Sequence, residues 1–267
     1  VEMLESIAEL LDGEDQDRVG FLHARLMAPK TKKTPARKTP KKKDGDKNLS
    51  YASCSPEIKR GLDESRCEEW RKWKRFNAGV LLSKAEVQAL IEGVRIYPMQ
   101  WIETDKNAHK RRDDKYIPPE LKSRLVGCGN FEETDGLRTD SPTGDVDAHN
   151  LVFSWCASNG VKIQSADISS AYLQGKQNDR VILYRIPKGG IPGVGVEEGA
   201  VIAARVPIYG TKDAGRGFWL RLKEVALDQG YSLNKILPTM FSLRDIENRL
   251  VGVMSSNVDD LLYVNLP

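Results

Sequence analysis

Apolar positions recur with a helical period in three stretches before residue 95. In residues 1–27 the spacing of the leucines predicts two short amphipathic helices. Residues 56–76 combine dense charge with a narrow face of aromatic and aliphatic side chains, which predicts a charged amphipathic helix. Ser83 and Glu86 form a capping-box pattern that opens another helix reaching Val94. The first third of the chain is therefore predicted to be largely helical.

Beyond residue 95 apolar residues alternate with polar ones, as is typical of β-strands. The predicted strands are short and lie at residues 96–102, 121–131, 161–168, 181–186 and 205–209, with a hairpin at 249–264. The first two strands are joined by a long polar loop and should form a basic hairpin. Helices are predicted at residues 146–159 and 214–229. This mixture predicts an α+β fold, an antiparallel sheet with helices packed on one face.

The charge of the chain is unevenly distributed, although the net charge of the 267 residues is only +3. Residues 1–29 are predicted to form a short acidic helical segment. Residues 30–50 hold a basic run, including Lys41, Lys42 and Lys43, with no residues that could build a core, so this linker is predicted to be disordered. The run could be a nuclear-import patch, a loose nucleic-acid-binding arm or a solvated spacer. A charged helical region at 51–95 and the α+β domain at 96–267 follow.

Several classes of protein are disfavoured by simple features of the sequence. The cysteines Cys54, Cys67, Cys128 and Cys156 are scattered without a C-x-x-C pair, so neither a zinc site nor a disulfide framework is indicated. No apolar run reaches the ~18 residues of a transmembrane helix, and the amino terminus lacks the pattern of a signal peptide. We therefore expect no membrane partner and a cytoplasmic or nuclear location.

Three aspartates stand where a divalent-metal site would need them. Asp167 ends one predicted strand, and Asp259 and Asp260 fall at the tip of the last predicted hairpin. Two-metal nucleotidyl transfer requires carboxylates that converge from separate strands, and Mg²⁺ prefers such hard oxygen ligands. Alone, an Asp-Asp pair is more typical of a solvated turn. The assignment therefore depends on the residues around it.

Five blocks of sequence occur in the order found in copia-type retrotransposon reverse transcriptases. Residues 122–129 resemble the fingers strand K-A-R-L-V-A-R-G, and residues 140–143 resemble the T-x-S-P-V that follows it. Residues 167–175 are similar to D-V-K-T-A-F-L-N-G, and residues 208–219 to L-Y-G-L-K-Q-A-P-R-x-W. Residues 257–260 fall where the family has Y-V-D-D. The resemblance extends over roughly residues 101–264.

The resemblance implies the fingers and palm of an RNA-directed DNA polymerase from a retrotransposon Pol polyprotein. Asp167, Asp259 and Asp260 would be its catalytic residues and would ligate two Mg²⁺ or Mn²⁺ ions. Asp167 and Asp259 would bind both ions, and Asp260 would support them. RNA or DNA template-primer and dNTPs would be its partners.

The resemblance also implies contacts with the substrates. Lys122 and Arg124 would bind the triphosphate of the incoming dNTP, since a guanidinium fork suits phosphate oxygens. Tyr172 would lie under the deoxyribose and exclude a 2′-hydroxyl. Lys212 and Arg216 would be weaker nucleic-acid contacts.

The chain also departs from the family pattern. Asn257 replaces the tyrosine before the Asp-Asp pair, Asp213 replaces a glutamine beside the nucleotide, and the resemblance ends at Val264. We therefore expect a truncated domain without a thumb or ribonuclease H region, which leaves three hypotheses open. The chain could be a reverse transcriptase domain, active or inactive, a catalytically dead remnant that binds nucleic acid, or a host interaction protein built on the amino-terminal helices.

Overall fold

The computed structural model describes residues 48–90, 94–112, 114–133 and 136–266. The predicted acidic helices and the basic run with Lys41, Lys42 and Lys43 lie outside the described residues. The chain forms two compact units. The first unit is Val1–Phe131 with Asp179–Arg205, and the second is Glu132–Asn178 with Val206–Pro267.

Within the described residues there are four α-helices, which begin at the predicted residues, although the second ends at Gln88 and not near Val94 as predicted. They are α1 (Pro56–Arg75), α2 (Lys84–Gln88), α3 (Val146–Asn159) and α4 (Ala214–Asp228). The capping box of Ser83 and Glu86 is confirmed, because each side chain accepts the backbone N–H of the other residue. Gly160, with φ of +64°, ends α3 in the left-handed conformation. None of these helices is long and apolar enough to cross a membrane.

Ten strands in the described part of the chain form two five-stranded sheets, one in each unit. The strands of the first unit are β1 (Gly79–Leu81), β2 (Ile96–Asp105), β3 (Leu121–Gly127), β5 (Ile182–Arg185) and β6 (Val201–Ala204). Those of the second unit are β4 (Gln164–Asp167), β7 (Tyr231–Leu233), β8 (Met240–Arg244), β9 (Leu250–Asn257) and β10 (Asp260–Asn265).

The sheet of the first unit has the strand order β1-β6-β5-β2-β3. The predicted basic hairpin is confirmed as the antiparallel pair β2 and β3. Strand β3 is an edge strand, and α1 covers that edge because Ser65 Oγ accepts the outward N–H of Ser123 at 2.8 Å. The strand predicted at residues 205–209 is wrong, since β6 lies at Val201–Ala204 instead. All four residues of β6 are buried, so they show no alternation, and Pro207 has no N–H for a ladder.

A buried ion pair joins α1 to β2 inside the first unit. Arg66 Nη2 lies 2.6 Å from Glu103 Oε1, and only 3% and 5% of the two residues is exposed. The Arg66 guanidinium also stacks on two aromatic rings, 4.3 Å from the centroid of Tyr51 and 5.1 Å from that of Trp101. This pairing is what allows two charges to lie in the core of the unit.

The sheet of the second unit is antiparallel, with the order β4-β10-β9-β8-β7. Helix α3 packs its Val152 against a cluster containing Val253, whereas Ala226 of α4 packs against a cluster containing Met254. Val253 and Met254 are successive residues of β9, so their side chains lie on opposite faces of the sheet. The prediction that the helices pack on one face is therefore wrong here, because this sheet is apolar on both faces.

Candidate active site

The predicted hairpin tip is confirmed as a two-residue turn, Val258-Asp259, between β9 and β10. Val258 has φ of +56°, the sign that the first position of a type II′ turn requires and that a β-branched residue rarely adopts. The Asp259 carbonyl accepts the N–H of Ile168 at 2.8 Å, which ties the turn to the residue after β4. The tip is therefore a strained turn held in place by a neighbouring strand.

Asp167 and Asp260 face each other across the pair of strands β4 and β10. They are direct partners in the antiparallel register, so their side chains lie on the same face of the sheet. Both residues are exposed. They line a cavity of about 350 Å³ together with His149, Ser165, Asn257 and neighbouring residues. The structure thus brings two of the three predicted carboxylates together at the rim of one cavity.

Asp259 occupies the turn itself and is not one of the residues that line this cavity. In the described ranges, no group of three or more His, Cys, Asp or Glu side chains is placed to hold a metal ion. Two carboxylates nevertheless suit Mg²⁺, which is commonly held by one or two carboxylates and completes its shell with waters and substrate phosphates. The chemistry of Asp167 and Asp260 fits such an ion, whereas a closed cage of three carboxylates is not formed.

Tyr172 supports the tip of the hairpin from the α4 side. It lies in a 3-10 turn, Ala171–Gln174, shortly after β4. Its half-buried ring packs, as Val258 does, against the cluster of Ala171, Phe218 and Leu222, and it makes edge contacts with Tyr209 and Phe218 at centroid distances of 5.2 Å and 6.4 Å. These contacts fix the ring close in the fold to both the turn and the end of β4.

Comparison with known families identifies the family of the chain. A family model described as reverse transcriptase (RNA-dependent DNA polymerase) matches residues 85–266, more than half of the chain. The chain belongs to the reverse transcriptase family. The matched domain is of the kind found in copia-type retrotransposon polyproteins. A search of curated proteins gave no match.

The first unit of this reverse transcriptase domain carries the predicted triphosphate-binding residues. Lys122 and Arg124 are two residues apart on β3, so they lie on the same face of its sheet. Burial holds the pKa of Lys122 below its ordinary value, and the positive charges of Arg124, Lys106 and Lys72 lower it further. The neighbourhood of Lys122 is thus crowded with cations, and a bound anion would relieve their repulsion.

The other predicted nucleic-acid contacts, Lys212 and Arg216, are engaged by groups of the second unit of the reverse transcriptase domain. Lys212 Nζ donates to the backbone carbonyl of Glu132 at 3.1 Å. Arg216 Nη1 lies 2.8 Å from Asp140 Oδ2, and 17% of the Arg216 side chain is exposed. Both side chains thus anchor loops in the structure, and their predicted role in nucleic-acid binding stays a prediction.

Among the residues that line the cavity but were not predicted as site residues are His149 and Asn257. His149 was left unassigned, yet it lines the cavity, and its Nδ1 lies 2.8 Å from the carbonyl oxygen of Asp145. Asn257 was noted only as a departure from the family pattern, yet its side chain accepts the N–H of Gly144 at 3.1 Å. No local sequence signal connects Asn257 with Gly144, because contacts between distant segments leave no periodic pattern.

Proposed function

We propose that this chain catalyses RNA-directed DNA synthesis. The 3′-hydroxyl oxygen of a primer bonds to the α-phosphorus of a dNTP, and the bond to the leaving pyrophosphate breaks. The observation that carries this proposal is the direct opposition of Asp167 and Asp260 in a region matched to the reverse transcriptase family. Carboxylates on one face of a sheet, next to a cavity, supply the oxygen ligands that nucleotidyl transfer needs.

Asp167, Asp259 and Asp260 are the residues that we propose to hold two Mg²⁺ or Mn²⁺ ions. When bound, such ions neutralise charge on the attacking and leaving oxygens of an in-line displacement. The contribution of the chain is to hold carboxylates that are free to bind a cation. In the described part of the structure no ion pair involves these three side chains.

We further propose that Lys122 and Arg124 bind the triphosphate and that Tyr172 packs against the sugar. The shared face of the two cations on β3 supports the first assignment, because Arg binds phosphate oxygens bidentately and Lys acts as a point charge. The assignment of Tyr172 is supported by its fixed ring, which is held by the 3-10 turn Ala171–Gln174 and by the contact with Tyr209.

Primer extension tests the proposed function. The chain should extend an oligo(dT) primer on poly(rA) when Mg²⁺ or Mn²⁺ is added. Asp167→Asn and Asp260→Asn should each lower the rate by ~1,000-fold or more, because they remove charge from proposed metal ligands. Asp228→Asn, at the exposed end of α4, is the matched control and should retain full activity. Extension that survives in the Asp167, Asp259 and Asp260 triple variant would disprove the assignment.

A second candidate function is nucleic-acid binding without catalysis. It is favoured by the cations that surround Lys122 on β3, namely Arg124, Lys106 and Lys72. Binding of single-stranded RNA that falls steeply with salt, together with no metal-dependent extension, would support this alternative. Lys122→Ala should then reduce the salt slope by about 0.7, the value for one lost phosphate contact on a single strand. An unchanged slope would argue against a phosphate contact at Lys122.

A further inference from the structure

A side-chain hydrogen bond joins the last hairpin to the loop before α3. The backbone N–H of Gly144 donates to Oδ1 of Asn257 over 3.1 Å. Asn257 is the last residue of β9 and the direct partner of Asp260 in the hairpin register. Because Asp260 is in turn the partner of Asp167, the three side chains lie on one face of the sheet. The hydrogen bond therefore acts beside the carboxylates rather than at a remote point.

The loop and the hairpin approach each other too closely for any side chain at position 144. A Cβ atom on Gly144 would lie 2.7 Å from Asn257 Cβ and 2.8 Å from His149 Cε1. Real Cβ atoms do not make contacts this short, so glycine is required for the close approach of the backbone. The contact leaves no room for a further atom, so a side chain at position 144 would displace the loop from Asn257.

The same contact shapes the wall of the cavity. Asn257 and His149 line it together with Asp167 and Asp260. His149 Nδ1 lies 2.8 Å from the carbonyl oxygen of Asp145, the residue that caps α3, which fixes the imidazole ring relative to the helix start. Loop, helix start and hairpin thus meet at one point next to the paired carboxylates.

We infer that Asn257 is a positioning residue. Its side-chain oxygen latches the loop before α3 to the hairpin and so holds Asp260 in the register in which it opposes Asp167. This inference extends the proposed function, and its kinetic test rests on that proposed function. The resembling family has a tyrosine at this position. Its hydroxyl oxygen lies beyond the aromatic ring, so tyrosine has no acceptor atom as close to the backbone as Oδ1 of Asn257. The replacement of tyrosine by Asn257 in this chain is therefore functional and is not a sign of an inactivated site.

Amide hydrogen exchange tests the latch without any need for activity. Asn257→Leu keeps the size of the side chain but removes the acceptor, whereas Asn257→Asp keeps an acceptor oxygen. We expect the Gly144 amide to exchange about tenfold faster in Asn257→Leu and at the wild-type rate in Asn257→Asp. The Ile168 amide, which reports on the contact between turn and β4, should accelerate in parallel. Unchanged exchange at either amide in Asn257→Leu would overturn the inference.

Kinetics then test the positioning role in the active chain. Asn257→Leu should lower kcat by about 10-fold to 100-fold, because a small displacement of a catalytic group is costly. The KM for dNTP should stay within about twofold, since uniform binding of the substrate is not removed. Asn257→Asp should recover most of kcat when the metal ion is in excess. A purely structural residue would show no such rescue.

The matched control is Asn265, at the opposite end of the same hairpin. Its Oδ1 accepts the hydroxyl of Tyr231 at 2.9 Å, so Asn265→Leu also deletes one side-chain hydrogen bond from β10. It should leave kcat and the exchange of both amides unchanged. A wild-type chain without extension activity would refute the proposed function alone, while the exchange data would still decide whether the latch holds the hairpin. Fast exchange in Asn257→Leu with unchanged kcat would overturn the positioning role.

Discussion

Two pairs of carboxylates, one in each unit of the chain, lie in opposite environments. In the first unit Glu103 and Asp105 are buried, and each forms an ion pair with an arginine, Arg66 and Arg111 respectively. In the second unit Asp167 and Asp260 are exposed and face each other, and neither has an ion-pair partner among the described residues. Glu103 and Asp105 therefore serve the structure of the first unit, whereas Asp167 and Asp260 remain available to external cations.

The difference between the two pairs of carboxylates has an energetic explanation. A buried carboxylate must be paired, because an isolated charge in the core is strongly unfavourable. Two like charges placed directly opposite each other on a sheet destabilise it. An arrangement that lowers stability, at the tip of a strained hairpin, is characteristic of a functional site. The contrast between the two pairs of carboxylates therefore supports metal binding in the second unit. Substitutions in either unit can test it.

The largest expected effect on stability is at the buried pair of the first unit. Arg66→Met should lower the free energy of unfolding by about 3–5 kcal/mol, because it leaves Glu103 buried without a counter-charge. The double variant Arg66→Met, Glu103→Leu should recover most of this loss, since an apolar pair replaces the ion pair. Urea unfolding followed by circular dichroism measures both.

An exposed ion pair provides the control for this prediction. Arg221 and Glu224 form an i,i+3 pair on the surface of α4, 2.7 Å apart, and Arg221→Ala should produce no measurable change in stability. A loss smaller than ~1 kcal/mol for Arg66→Met would mean that water reaches Glu103 in the folded state. It would also remove the contrast between paired and unpaired carboxylates.

A smaller effect, dependent on pH, is expected at Glu69 of α1. Burial raises the pKa of this carboxyl above its ordinary value, although the charge of Lys72 opposes the shift. Between the ordinary pKa and the raised one, the folded state holds a proton that the unfolded state has released. The free energy of unfolding should therefore fall as pH rises through that window.

Glu69→Gln should abolish this pH dependence, because an amide does not titrate. Its side chain keeps an oxygen atom near the backbone of Leu125, an interaction that lowers the pKa of the wild-type carboxyl against the larger effect of burial. The free energy of unfolding of Glu69→Gln should therefore exceed that of the wild type by an amount that increases with pH. Urea titrations from about pH 4 to pH 8, in a Trp155→Phe, Trp219→Phe background, would follow the fluorescence of the first unit. Parallel curves for wild type and variant would contradict the prediction.

The parts of the fold that were predictable are those with strong local signals. Helix α1 has a clear amphipathic period, and α1 and α3 each begin after a capping residue, Ser55 and Asp145, whose side chain accepts a helix N–H. The two confirmed hairpins have alternating strands around polar turns. In contrast, β6 is buried throughout and lacks alternation, and β7 and β8 were not predicted at all. The faces on which α3 and α4 pack depend on tertiary contacts that local patterns do not contain.

The candidate site was predictable in its members but not in its geometry. Asp167, Asp259 and Asp260 stood out because they lie at strand ends, where side chains converge. A shift of one residue in the pairing of β10 with β4 decides whether Asp259 or Asp260 lies opposite Asp167. In the structure it is Asp260. The contact between Gly144 and Asn257 joins residues that are 113 positions apart. Contacts of that separation arise from the packing of α3 on the sheet, which a single sequence does not reveal.

The smallest expected effect is at the opposed carboxylates, and it has the opposite sign from that at Arg66. Asp260→Asn should raise the free energy of unfolding by roughly 0.2–1 kcal/mol at low salt, because it removes the repulsion from Asp167. The gain should fade as salt screens the exposed charges. Thermal unfolding at low and high salt measures it. A destabilised Asp260→Asn would assign this carboxylate to the structure, as in the first unit. A stabilised variant that has lost primer extension would instead show that the second unit gives up stability for its chemistry.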